Sequence, residues 1–179
     1  LGIINDVLDI SKIESGKMEL IIQPFLLETL IDDVFNSLEP KAIEKNIKLN
    51  IYKSYPLNTQ LNGDVVRLQQ VLTNLLANAI KFTQDGSVIL KIENHKSAIR
   101  FKIIDTGIGI PNDKIEKIFE RYEQAAATIK TTFGGTGLGL SISKKIIELM
   151  DGTIDIKSKL GKGTQFIITI PFLNASQQV

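Results

Sequence analysis

Cysteine is absent from the 179 residues, so neither a disulfide framework nor a thiolate metal site is open to the chain, which fits a reducing compartment. Histidine occurs once, as His95 in an Asn94-His95-Lys96-Ser97 stretch that reads as a turn. No metal-ligand partner stands near it at sensible spacing, so a solvent-exposed tip is expected there rather than a catalytic or phosphoaccepting group. A surplus of charge is also missing. The formal net charge is +1, which gives no ground for a nucleic-acid partner or an anionic membrane surface. No apolar run approaches the length of a transmembrane helix. What remains is the composition of one ordinary domain, 43% hydrophobic and long enough for a full core. The first residue is Leu1 and the chain opens in mid-helix, which reads as a piece of a longer protein; any membrane anchor or targeting signal would then lie outside it.

The most informative stretch is DVVRLQQVLTNLLANAIKF, residues 64–82. At about 100° per residue, Leu68, Val71, Leu72, Leu75, Leu76 and Ala79 fall in one sector, the stripe of a helix packed on a core. Asn74, Asn78 and Lys81 fall within roughly 60° of one another near the other side. A solvated face is usually filled with Glu, Lys and Arg, which suit a helix interior better than Asn. Amides at i and i+4 offer neutral oxygens to a hard cation, and a lysine one turn on offers a point charge to a phosphate. The helix by itself also admits the plainer reading of a satisfied surface face.

Around it the periodicity alternates between helix and strand. Residues 1–17 carry Leu1, Ile4 and Leu8 on one seam with Ile3, Val7 and Ile10 beside it, an over-wide apolar face for a short helix that ends near Gly16. It suits the end of a longer helix packed on a partner; a helix docked on its own domain is the alternative. Strands are expected at 18–25, 47–52, 87–92, 98–104, 153–158 and 164–170. Helices are expected at 26–45, with a kink or restart at Pro40, at 111–118 and at 138–150. Asp64 should cap the central helix after a polar loop at 58–63. The 119–136 stretch loses hydrophobic periodicity and reads as a lid or binding loop. Pro171 should end the ordered chain, with residues 174–179 a tail or linker.

Three glycine clusters punctuate this frame: DTGIGIP at 105–111, GGTGLGLS at 134–141 and GKGT at 161–164. The first follows a strand, and Asp105 could there accept a hydrogen bond from an amino group lying beside bare backbone. The second feeds a helix N-terminus, an arrangement that presents N–H groups to an anion. Each alone is a common turn. Neither standard phosphate loop fits, since Leu140-Ser141 stands where a Walker A loop needs Lys-Ser/Thr, and position 140 is not the third glycine of a dinucleotide fingerprint.

Taken in order, however, the sequence resembles the catalytic ATP-binding domain of sensor histidine kinases, within the ATPase superfamily that includes gyrase, Hsp90 and MutL. TNLLANAIKF matches the family's asparagine box, DTGIGI, GGTGLGLSI and GKGT its three glycine boxes, and IFERYEQ its phenylalanine box. The resemblance covers about residues 18–172, and residues 1–17 resemble the end of the second dimerisation helix. It implies an α/β two-layer sandwich, the Bergerat fold, with a mixed five-stranded sheet on three helices and an N-terminal helical stub. The divisions would be 1–17, 18–173 as catalytic domain, and 174–179.

The resemblance also implies roles for residues. Asn78 would bind Mg²⁺, Lys81 would face the phosphates of ATP and Asn74 would line the site. Asp105 would take the adenine amino group, Gly107, Gly109 and Ile110 would shape the adenine pocket, and Thr164 would close its side. Gly135, Thr136, Gly137, Leu138 and Gly139 would lie at the phosphates, and Phe119 with the segment after it would form the mobile lid. Many relatives carry Arg near the end of the phenylalanine box; here Gln124 stands there, with Arg121 three residues earlier. Gyrase-like members use a glutamate at the Asn74 position to activate water, a task that asparagine cannot perform, which favours phosphoryl transfer over hydrolysis. The implied acceptor is a histidine upstream of Leu1 on the protein's own dimerisation domain. The implied partners are a second copy of the protein and a response regulator receiver domain, in a cytoplasmic setting and without nucleic acid. A nucleotide-sensing pseudokinase, an ATP-driven clamp and a serine-directed kinase on the same fold are the rival readings.

Overall fold

The structure, a computed structural model, describes residues 2–54, 60–120 and 137–174. The expected central helix is α3, Val65–Phe82, and its apolar sector is buried throughout, with Leu68, Val71, Leu72 and Leu75 wholly inaccessible. Asp64 caps it by accepting from the Arg67 N–H at 3.0 Å, while its second oxygen accepts from the Ile21 N–H at 2.9 Å. One carboxylate therefore starts the helix and pins the preceding segment to it.

Three helices share the core on one side of the main sheet: α2 (Leu27–Glu44), α3, and α4 (Gly139–Leu149). The sheet runs β2 (Lys48–Ser54), β4 (Ser87–His95), β5 (Ala98–Asp105), β7 (Gly163–Pro171), β6 (Thr153–Lys159) across its width. Only β2 and β4 are parallel, so the sheet is mixed, as expected. Its inner face is written as period-2 alternation: Val88, Leu90 and Ile92 on β4, Ile99, Phe101 and Ile103 on β5, Phe166, Ile168 and Ile170 on β7. Asp105 is the next residue on that inward face, where the core of β5 runs into the glycine bend.

A second, three-stranded antiparallel sheet has the order β1 (Gln23–Leu26), β3 (Gln60–Gly63), β8 (Leu173–Asn174). It corrects three expectations. Residues 60–63 form a strand, not a loop; their polar composition hides it because only Leu61 and Gly63 face inward. Residues 18–22 are not strand, since Ile21 and Ile22 project outward and the Ile21 N–H is committed to Asp64. Pro171 ends β7, yet the chain goes on to pair with β3, with Phe172 edge-on to Phe25 at 5.9 Å.

Other departures are local. Helix α2 passes through Pro40 without a break, because Pro40 lies on the exposed face while Leu38 and Ala42 stay buried to either side. Residues 111–118 form two 3₁₀ turns, Asn112–Lys114 and Lys117–Phe119, instead of one helix. Strand β4 extends through His95, so the hairpin turn is Lys96-Ser97. Helix α1, Gly2–Glu14, packs on the domain through half-buried Ile10 and Ile13 and through Asp9, which pairs with Arg67 at 2.8 Å and accepts from the Gln70 side chain at 2.8 Å. Ile4, Val7 and Leu8 remain exposed along its other side. No helix among the described residues is long and apolar enough to cross a membrane.

Candidate functional site

Bare backbone meets the polar stripe of α3 at two places. Midway along the helix, the Asn74 amide donates to Ser143 Oγ at 2.9 Å, and a side chain at Gly139 would run into that same amide. Glycine at the first position of α4 is what lets the two helices approach there. Asn78 follows Asn74 by one turn and is half-buried. Among the described residues no side chain caps the start of helix α4: Leu138 precedes it as a buried residue, and Gly137 lies at φ 71. Uncapped first-turn N–H groups are the donors that an anion uses.

At its C-terminal end α3 abuts the first glycine cluster. Phe82 O accepts from the Ile108 N–H at 3.2 Å, and the Cβ position of Gly107 lies against that carbonyl. Lys81, half-buried, holds its ammonium 5.0 Å from the Phe82 ring centroid, and burial lowers its pKa.

Asp105 organises the other wall. It is 7% exposed, and its Oδ1 accepts from the Gly107 N–H at 2.8 Å and the Thr164 N–H at 3.1 Å. Its Oδ2 takes no protein partner among the described residues. Burial raises its pKa, against the pull of those two backbone N–H groups. The third glycine cluster folds over this residue. Gly161 N–H donates to Ile108 O at 2.7 Å, and the Cβ positions of Gly109 (φ 69) and Gly163 (φ 99) are filled by Lys159 O and Asp105 O. Only glycine meets both demands, a left-handed φ and a carbonyl where a side chain would stand.

The structure thus brings Asp105, Gly107, Gly109, Ile110 and Thr164 together, sets Asn74 against Gly139, and sets the Lys81-Phe82 end of α3 against the Gly107 bend. Phe119 is held between the Phe166 ring, edge-on at 6.4 Å, and the Lys144 ammonium, 5.3 Å from its centroid. Arg121, Gln124, Gly135 and Thr136 lie outside the described residues.

Three contributors were missed from sequence. Ser158 accepts from the Ile110 N–H at 2.8 Å and bonds Gly163 O and Thr164 Oγ1 at 3.0 and 2.9 Å. Its signal was available: it is the polar residue that continues the inward positions of Ile154 and Ile156. Ser143, one turn into α4 from Gly139, and Lys45, whose ammonium donates to the carbonyls of Ile80, Lys81 and Thr83 at the end of α3, carried no such mark.

The arrangement agrees with comparisons to known proteins. Residues 63–174 match the family described as histidine kinase-, DNA gyrase B-, and HSP90-like ATPase. The sensor histidine kinase GacS of Pseudomonas protegens is 44% identical over 177 residues, 95% of this chain and 19% of its own length. The circadian input-output histidine kinase CikA of Synechococcus elongatus is 40% identical over 175 residues, 96% of this chain and 23% of its own. The chain therefore spans about a fifth of the length of these relatives. Among solved structures, full-length ShkA in complex with AMPPNP superposes with a TM-score of 0.86 at 34% identity, covering 97% of this chain and 36% of that one. The nucleotide-free catalytic domain of the histidine kinase ThkA gives 0.72 at 32% identity, covering 86% of this chain and 96% of that one. The chain belongs to the histidine kinase-, DNA gyrase B- and HSP90-like ATPases, and within them to the ATP-binding catalytic domains of sensor histidine kinases.

Proposed function

We propose that the chain binds ATP between α3, the first-turn N–H groups of α4 and the glycine bends, and donates its γ-phosphoryl group to a histidine on a separate helical domain. The observation that carries this reading is the Oδ2 of buried Asp105, which has no protein partner among the described residues. Buried acceptors are nearly always satisfied, so one left open beside bare backbone is suited to a ligand donor such as the adenine amino group. Asn74 and Asn78 supply neutral amide oxygens, and no carboxylate occupies the Asn74 position to activate water. Transfer would join the acceptor nitrogen to the γ-phosphorus and break its bond to the β,γ-bridging oxygen, with ADP leaving. The chain's own contribution would be positioning and charge neutralisation by Lys81 and the α4 N-terminus.

Mg²⁺ fits this donor set. A half-buried amide one turn beyond Asn74 gives one hard oxygen, the kind of sparse protein ligation this ion accepts alongside phosphate. Asn78 would hold it, and the ion would offset phosphate charge when bound. Residues 1–17 would be the end of a dimerisation helix, 18–173 the catalytic unit and 174–179 a linker. The parent protein would be a homodimer that passes phosphate to a receiver domain, with the catalytic domain in the cytoplasm.

The test incubates the chain with γ-labelled ATP, Mg²⁺ and a separately produced histidine-bearing dimerisation domain. Acid-labile label on that domain supports the reading, and Asn78→Ala should abolish the label while metal-free nucleotide binding survives. Steady phosphate release without acceptor would instead favour the hydrolytic clamp.

A further inference from the structure

The Lys45 side chain spans from the end of α2 to the end of α3. Its ammonium donates to Ile80 O at 2.7 Å, Lys81 O at 2.8 Å and Thr83 O at 2.8 Å. An ammonium has three donors, and all three are used. The carbonyls of the last turn of α3 are then all accounted for. Ala79 O accepts from the Thr83 N–H and hydroxyl, Ile80 O and Lys81 O from Lys45, and Phe82 O from Ile108 in the glycine bend. A cation at a helix C-terminus also meets the negative end of the helix dipole.

We propose that Lys45 is a positioning residue for nucleotide binding, holding the Lys81-bearing turn of α3 in place beneath the phosphates. The proposal rests on the ATP-site reading above. Lys45 is itself anchored, because α2 closes on either side of it through Asn46 N–H to Ile43 O at 2.9 Å and Ile47 N–H to Ala42 O at 2.8 Å. The two walls of the site depend on it unequally. The Asp105–Ile110 bend has its own supports in Thr164, Ser158 and Gly161. The carbonyls of Ile80 and Lys81 have Lys45.

The test measures ATP and adenosine binding to the full chain and to its Lys45→Met and Lys45→Gln variants, with thermal melting alongside. Met removes every donor and Gln keeps two. ATP affinity should fall about tenfold in Lys45→Met and less in Lys45→Gln, with adenosine changed by less than about twofold. Equal weakening of both ligands overturns the proposal, because a general loosening of the fold would act on both. Unchanged ATP binding in a folded Met variant overturns it as well, as does failure of both variants to fold. A wild-type chain that binds neither ligand removes the nucleotide reading itself, a failure distinct from these.

Discussion

Of the four α-helices among the described residues, three close on themselves and one does not. At the end of α1, Gly16 N–H donates to Ile13 O at 3.1 Å and Lys17 N–H to Lys12 O at 2.8 Å. The same pair of bonds closes α2 around Asn46, and closes α4 with Asp151 N–H to Glu148 O at 3.1 Å and Gly152 N–H to Ile147 O at 2.9 Å. In each case the pivot residue is left-handed: Gly16 at φ 63, Asn46 at φ 57, Asp151 at φ 56. Helix α3 instead leaves through Thr83 in extended conformation, and its carbonyls go to Lys45 and the Gly107-Ile108 bend. A self-made cap turns the chain into the space just beyond the helix, and at α3 that space belongs to the candidate site. The helix end that abuts the site is therefore closed by distant partners, and the other three are closed by their own sequence neighbours.

The largest test of this contrast lies within one hairpin. Gly163 and Gly161 both have left-handed φ, but a methyl group at 163 would meet Asp105 O while one at 161 would meet nothing within 4 Å. Gly163→Ala should lower the unfolding free energy by about 3 kcal/mol, strain plus overpacking, and Gly161→Ala by about 1 kcal/mol, strain alone. Equal losses in urea titrations would break the comparison.

Next in size is Asp105→Ala. Losing one hydrogen bond to a charged group costs about 1.5–3 kcal/mol, so ATP affinity should drop roughly ten- to hundredfold by isothermal titration. An unchanged affinity in the folded variant removes the adenine assignment. Asp105→Asn sharpens the point through pH. Burial raises the folded carboxyl above its reference value of 3.8, so the folded state binds this proton more tightly than the unfolded chain. The stability it contributes is complete below 3.8 and is lost as pH rises through the elevated folded value. The nucleotide-free Asn variant keeps both backbone bonds without a charge and should melt above the wild type at neutral pH, with the gap closing under acid. A gap that is independent of pH would contradict the burial cause.

What was legible in the sequence follows the same division. The amphipathic stripe of α3, the Asp64 cap, the alternation of β4, β5 and β7 and the Gly16 stop are short-range patterns, and each has a period or a local bond behind it. The order of the asparagine and glycine clusters was enough for the family and for the mixed five-stranded sheet. Strand β3 was hidden because of its two inward positions, Leu61 and Gly63, only Leu61 carries an apolar side chain. Pro40 misled because its cost depends on which side of α2 faces water. Lys45 was invisible for a different reason: its three acceptors lie 35, 36 and 38 residues away, and nothing in a lysine at the end of one helix names the helix it will cap.

The smallest effect should come from a self-closed end. Asp151 sits at φ 56 at the far end of α4 from Gly139. Replacing it by glycine relieves Cβ strain of about 1–2 kcal/mol and adds unfolded-chain freedom of about 0.5–1 kcal/mol, so a net gain of about 0.5 kcal/mol is expected. ATP affinity should stay within about twofold, because the cap is made inside its own turn and nothing at the site leans on it. Melting and titration of Asp151→Gly beside Lys45→Gln would then separate the two kinds of helix end: one moves stability alone, the other moves the ligand. A nucleotide effect from Asp151→Gly would show that the far cap of α4 also holds the site, and the contrast between the two helix ends would be lost.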